Sequence, residues 1–128
     1  DAIEFAPELR WSDRLADPAF SFMDLLDHGL PALAWRFLGR WLDAGGDHDA
    51  LPLLRWSAGY RALVRAKVAG LQGRPDLRTE RIALARSIAF APPPQLVLTT
   101  GLSGSGKSRV ALALAEAWGG VRVRSDVE

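Results

Sequence analysis

A chain of 128 residues with 48% hydrophobic and 24% charged side chains has the composition of a folded globular protein, which excludes a disordered one. Its net charge of +1 gives no general polyanion-binding signal, and the absence of cysteine excludes disulfides and thiolate-ligated zinc. No apolar run approaches the ~20 residues of a membrane span, and Asp1, Glu4 and Glu8 give the amino end none of a signal peptide's features. A cytoplasmic protein is therefore expected, with neither nucleic acid nor a membrane among its partners.

In chain order, Ala2 to Phe5 reads as a short strand, and Pro7 with Trp11-Ser12-Asp13 as a loop. Asp17-Pro18 predicts a helix start, with Asp17 as N-cap and Phe20, Met23, Leu26 and Leu30 on one face. Leu30-Pro31 breaks that helix. The next carries Leu33, Ala34, Phe37, Leu38, Trp41 and Leu42, pairs repeating every four, and stops at Gly45-Gly46. A third helix is predicted from about Leu51 to Leu71, with Leu53, Leu54, Ser57, Tyr60, Val64, Val68 and Leu71 along one stripe. A fourth spans about Asp76 to Phe90. His28 and His48, the only histidines, lie near helix ends, and no metal-ligand spacing joins them.

Charge reverses along these helices. Residues 1–50 carry ten acids against four arginines, whereas residues 51–90 carry eight basic residues against Asp76 and Glu80. Two solvated faces that attract each other are expected from this, ahead of an RNA-binding or membrane-binding basic helix.

Ala91-Pro92-Pro93-Pro94 marks a boundary, since three prolines neither donate to a sheet nor continue a helix. Gln95 to Thr100 then predicts a strand, Ser108 to Trp118 a helix apolar nearly all round and so covered by neighbours, and Val121 to Arg124 a second strand. Between the first strand and the helix stands Gly101-Leu102-Ser103-Gly104-Ser105-Gly106-Lys107-Ser108, which fits G-x-x-x-x-G-K-[ST].

That spacing has a chemical reason. Glycines allow backbone N–H groups to turn inward around a polyphosphate, a lysine neutralises the β- and γ-phosphates, and a hydroxyl holds Mg²⁺. Among sixteen basic residues only Lys67 and Lys107 are lysine, so the chain uses a compact ammonium where the motif needs one. Residues 101–108 together with Arg109 are the expected nucleotide-binding set, with Lys107 acting on the phosphates and Ser108 on the metal. The rival reading is a glycine-rich turn that binds nothing.

The loop, the helix after it and Arg124-Ser125-Asp126 resemble the opening of small P-loop kinases such as gluconate kinase, adenylylsulfate kinase and the zeta-toxin group. This resemblance implies ATP and Mg²⁺ as cofactors, and Asp126 as the acceptor-binding residue or general base. As a bare residue, Asp126 reads equally as a turn acid. Ile3-Glu4-Phe5, Leu9-Arg10-Trp11-Ser12-Asp13, Asp17-Pro18-Ala19-Phe20 and Met23-Asp24-Leu25 resemble the C-terminal helical lobe of aminoglycoside-phosphotransferase-like kinases. In that family the first segment carries a metal-binding Asp; the matching position here is Glu4, a departure from the pattern, and the resemblance implies Glu4 as a metal ligand.

The order of the two pieces resembles a bacterial two-part protein, often labelled an AAA-family ATPase. It implies an α/β fold overall: a helical lobe over 1–91, a proline linker at 92–94 and the first β-loop-α-β unit of a P-loop domain from 95 to 128. The chain is then a piece of something longer with its P-loop unit truncated, and by itself it is expected to bind nucleotide weakly, if at all, and to be inactive. The expected function is transfer of the γ-phosphoryl group of ATP to a small-molecule hydroxyl. A nucleotide-gated regulatory ATPase and a non-catalytic helical interaction module are the alternatives.

Overall fold

The computed structural model describes residues 13–45 and 47–124, and the regular elements among them are helical. Helix α1 runs Ala16–Asp27, α2 Pro31–Asp43, α3 Leu54–Leu71, α4 Pro75–Ala89 and α5 Lys107–Trp118, with a short 3-10 turn, Leu51–Leu53, leading into α3. Pro31 and Pro75 each occupy the first position of a helix, where a missing N–H costs nothing and the fixed φ is already helical. The N-cap position of α1 is Leu15 rather than Asp17, and its N–H donates to the Asp13 carboxylate at 2.7 Å. Asp17 instead lies in the first turn, where its charge suits the positive end of the helix dipole.

Helices α3 and α4 form an antiparallel hairpin. At its turn the Arg74 N–H donates to the Ala69 carbonyl (3.0 Å) and the Gly73 N–H to the Gly70 carbonyl (3.1 Å), which satisfies two of the last carbonyls of α3. The packed face of α3 consists of Leu54, Ala58, Gly59, Ala62, Ala66 and Ala69, and α4 meets it with Ala85 and Ile88. Small residues let two helix axes come close. The consequence departs from the expected stripe: of Leu53, Leu54, Ser57, Tyr60, Val64, Val68 and Leu71, only Leu54 is buried. The bulky residues are left on the outer face.

The core is completed by α1 and α2. Leu15, Met23 and Leu38 are fully enclosed, with Phe22, Ala34 and Leu42 around them. Burying each large side chain contributes roughly 1.5–3 kcal/mol, so this cluster is the main source of cohesion. On α2 the repeat of four selects Ala34, Leu38 and Leu42, as the sequence pattern implies, while Leu33 turns outward.

The charge reversal becomes a set of contacts between α1 and the hairpin. Arg65 of α3 reaches Asp24 at 2.6 Å and Asp27 at 3.3 Å, and Arg81 of α4 reaches Asp27 at 3.3 Å. Arg61 and Arg65 also stand over the Phe20 ring, at 5.6 and 5.3 Å. The attraction expected between the acidic and basic stretches is thus made by these particular residues.

The α/β expectation is overturned. Among the described residues there is no strand and no sheet. Residues 95–100 and 121–124 are non-helical, but neither enters a ladder, and a strand exists only through the hydrogen bonds of a neighbour. Leu96 and Leu98 are left 86% and 77% exposed. Arg55 holds the preceding segment against α3 instead, donating to the carbonyls of Ala91 (3.2 Å) and Pro92 (2.8 Å). The strand expected at Ala2 to Phe5 lies outside the described residues. Helix α5 is not covered on all sides either: it packs on α2, has no fully buried residue, and leaves Val110 and Trp118 exposed.

Candidate functional site

The loop 101–106 turns through backbone conformations that its sequence provides for. Gly101, Gly104 and Gly106 have φ of +148°, +77° and +85°, and Gly106 serves as the cap from which α5 begins at Lys107. These values lie where a side chain is strained. At Gly101 space is also lacking, because an added Cβ would stand 2.9 Å from the Ser105 hydroxyl oxygen. The Ser105 N–H donates to the Leu102 carbonyl at 3.2 Å, closing a turn over Ser103 and Gly104.

Lys107 folds back over this turn. Its ammonium donates to the Gly101 carbonyl at 2.9 Å and to the Leu102 carbonyl at 2.7 Å, so the charge is held over the loop by the loop's own backbone. The N–H groups of Arg109 and Val110 both turn to the Gly106 carbonyl (3.0 and 3.1 Å). Those of Lys107 and Ser108, in the first turn, have no acceptor within the helix. A positive helix end, an ammonium and an exposed Ser108 hydroxyl therefore meet on one accessible surface. Such a donor set can hold an anion with several oxygens.

The residues expected from the motif fall into two groups. Gly101, Leu102, Gly104, Ser105, Gly106 and Lys107 are brought together as one turn, with Ser103, Ser108 and Arg109 exposed along it. Asp126 and Glu4 lie outside the described residues. Among the described residues no group of three His, Cys, Asp or Glu side chains is placed to hold a metal ion. His28 is the C-cap of α1, its ring nitrogen 2.7 Å from the Asp24 carbonyl.

A second feature was not legible in the sequence. The far end of α5 is clasped to α2: Arg36 donates from Nε to Glu116 Oε1 at 2.7 Å and from Nη2 to Oε2 at 2.6 Å, a bidentate pair. This hydrogen bond is the main reason the Glu116 carboxyl lies below its usual range; desolvation opposes it, and the charges of Arg36 and Arg40 add to it. Arg122 reaches both oxygens of Asp43 at 3.3 Å, and Val121 packs against the core. At Gly119, φ is +78° and an added Cβ would stand 2.8 Å from Nε1 of Trp35, which itself makes an edge contact with Phe22 at 4.9 Å. Partners this distant in the chain leave no local signal. The helix whose first turn carries the loop is thus fastened at its other end to the helical bundle.

No family model and no solved structure matches the chain. Three curated mycobacterial proteins are similar to it: uncharacterized protein Mb2027c of Mycobacterium bovis, and uncharacterized proteins MT2060 and Rv2004c of Mycobacterium tuberculosis. Each is 34% identical over 132 residues, an alignment that covers 98% of this chain and 26% of the relative. The chain spans about a quarter of the length of the curated relatives it matches. Among the described residues no helix is long and apolar enough to cross a membrane.

Proposed function

We propose that residues 101–108 bind the polyphosphate of ATP, with Mg²⁺, in a cytoplasmic phosphotransferase that phosphorylates a small-molecule hydroxyl. One observation carries this reading: three positive-φ glycines form a turn whose next residue, Lys107, opens α5 and places its ammonium over that turn. The bound nucleotide supplies a transferable γ-phosphoryl group. The chain's own residues bind and orient it. Lys107 would exchange two neutral carbonyl acceptors for charged phosphate oxygens, the first-turn N–H groups would gain the acceptors that the helix cannot give them, and the Ser108 hydroxyl would be the group that holds Mg²⁺. Asp126 is assigned to the acceptor and Glu4 to a metal, both on the strength of the family resemblance.

The test is Lys107→Ala in this chain. Losing charge-assisted hydrogen bonds worth about 1.5–3 kcal/mol, it should bind MgATP roughly 10- to 100-fold more weakly by calorimetry, with helix content unchanged. Equal affinity of the two proteins contradicts the assignment.

A regulatory ATPase is the second reading, and the clasp of α5 onto α2 by Arg36–Glu116 and Arg122–Asp43 favours it, because a nucleotide held at one end of α5 pulls on the bundle at the other. Acceptor-dependent release of ADP separates the two, since a regulator releases none.

A further inference from the structure

We propose that the cavity between α2 and α5 binds a small monocarboxylate with an apolar body, independently of the nucleotide reading. The cavity holds about 220 Å³ and is bounded by both helices and by the segment Gly120 to Arg122 that returns from α5. It is remote from the loop, because roughly 13 Å of helix separate Glu116, in its wall, from Lys107.

The charges around the cavity do not balance. Arg36, Arg40 and Arg122 line it against Asp43 and Glu116, which leaves one positive charge over. Arg36 takes both oxygens of Glu116, and Arg122 reaches both of Asp43 through Nη2. Arg40 is left with no ion pair among the described residues, although its charge is felt at Glu116. Arg122 has an unmet need of its own: its Nε–H is buried and has no hydrogen-bond acceptor. Buried donors are rarely left so, because they lose water and gain nothing in return. An oxyanion between Arg40 and Arg122 supplies both the missing charge and the missing acceptor.

The rest of the wall selects what carries that anion. Trp35, Leu112, Ala115 and Val121 give the cavity an apolar side, and space is open at Gly39, where an added Cβ meets nothing within 4 Å. An apolar side chain of another polypeptide would cover this side and leave Arg40 and the Arg122 Nε as they are. A single surplus charge suits a carboxylate, whereas a phosphate monoester brings nearly two and leaves one unmatched. A volume below the ~300–1,000 Å³ of ordinary small-molecule sites limits the ligand to about ten non-hydrogen atoms.

Titration of the ¹⁵N-labelled 128-residue chain with phenylacetate tests this. Saturable shifts are expected at the amides of Gly39, Glu116, Gly120 and Val121, with dissociation at roughly 0.1–5 mM, the range open to so small a ligand. Phenylacetamide, which lacks the charge, and acetate, which lacks the body and mimics an acidic side chain, should each bind at least about tenfold more weakly. Gly39→Leu fills the cavity at a position where glycine is a poor helix former, and Arg40→Gln removes the surplus charge. Each should weaken phenylacetate binding about tenfold or more, with circular dichroism unchanged. The proposal is overturned if no shift saturates, if the shifts fall on Gly104 and Gly106 instead, or if affinity is indifferent to both substitutions. Acetate binding as tightly as phenylacetate, or phenyl phosphate binding more tightly, overturns it as well.

Discussion

Gly119 occupies a position where a methyl group has no room. Its φ of +78° strains any L side chain by roughly 1–2 kcal/mol, and the Cβ would meet the indole edge of Trp35 at 2.8 Å. That indole cannot swing away freely, because its ring is set against Phe22. Gly119→Ala should therefore destabilise the chain by about 2 kcal/mol and lower Tm by at least ~5 °C. An unchanged melting curve would show that Trp35 does not seat on this glycine. At the loop, by contrast, the residues were legible individually: the motif is local, and a single lysine among neighbouring glycines states its own requirement. Gly119 itself was readable as a helix stop. Its contact with Trp35 was not, because nothing near it in the chain names the partner.

Helix α5 depends on a few polar contacts to α2 more than on burial, and this makes its docking sensitive to acid. Glu116 titrates below its ordinary carboxylate value of 4.5 because Arg36 hydrogen-bonds its charged form. Arg36 is pushed further above its ordinary value and stays charged throughout. A depressed carboxylate pKa contributes stability that is complete above the unfolded value and is lost as pH falls through the folded one. Docking should therefore be constant from pH 6 to 8 and weaken below about 4.5. Glu116→Gln should abolish that acid step, followed by the fluorescence of the tryptophans as pH is lowered. An acid step of the same size in the variant contradicts the assignment. Helix α3 carries the complementary lesson. Its existence and length were legible from periodicity, but its inward face was not. Hydrophobic size suggests that Tyr60, Val64 and Val68 go inside, whereas beyond Leu54 the buried face of α3, on which α4 packs, consists of alanine and glycine.

For the whole molecule, the order and bounds of the five helices followed closely from proline, glycine and apolar spacing, while the sheet did not. The segment 95–100 has the composition of a strand, yet composition supplies only half of a ladder; without a paired neighbour it remains exposed, and α5 packs on α2. The proposed nucleotide binding nevertheless depends on a local device, the glycine turn and the helix end that follows it, and this device is formed without a sheet. The most direct test is a titration of the ¹⁵N-labelled chain with MgATP, read at the backbone amides. Saturable shifts are expected at Gly104, Gly106, Lys107 and Ser108, and Lys107→Ala should abolish them or move them to much higher concentration. Amides in this loop that stay unmoved at millimolar MgATP would contradict the proposed binding.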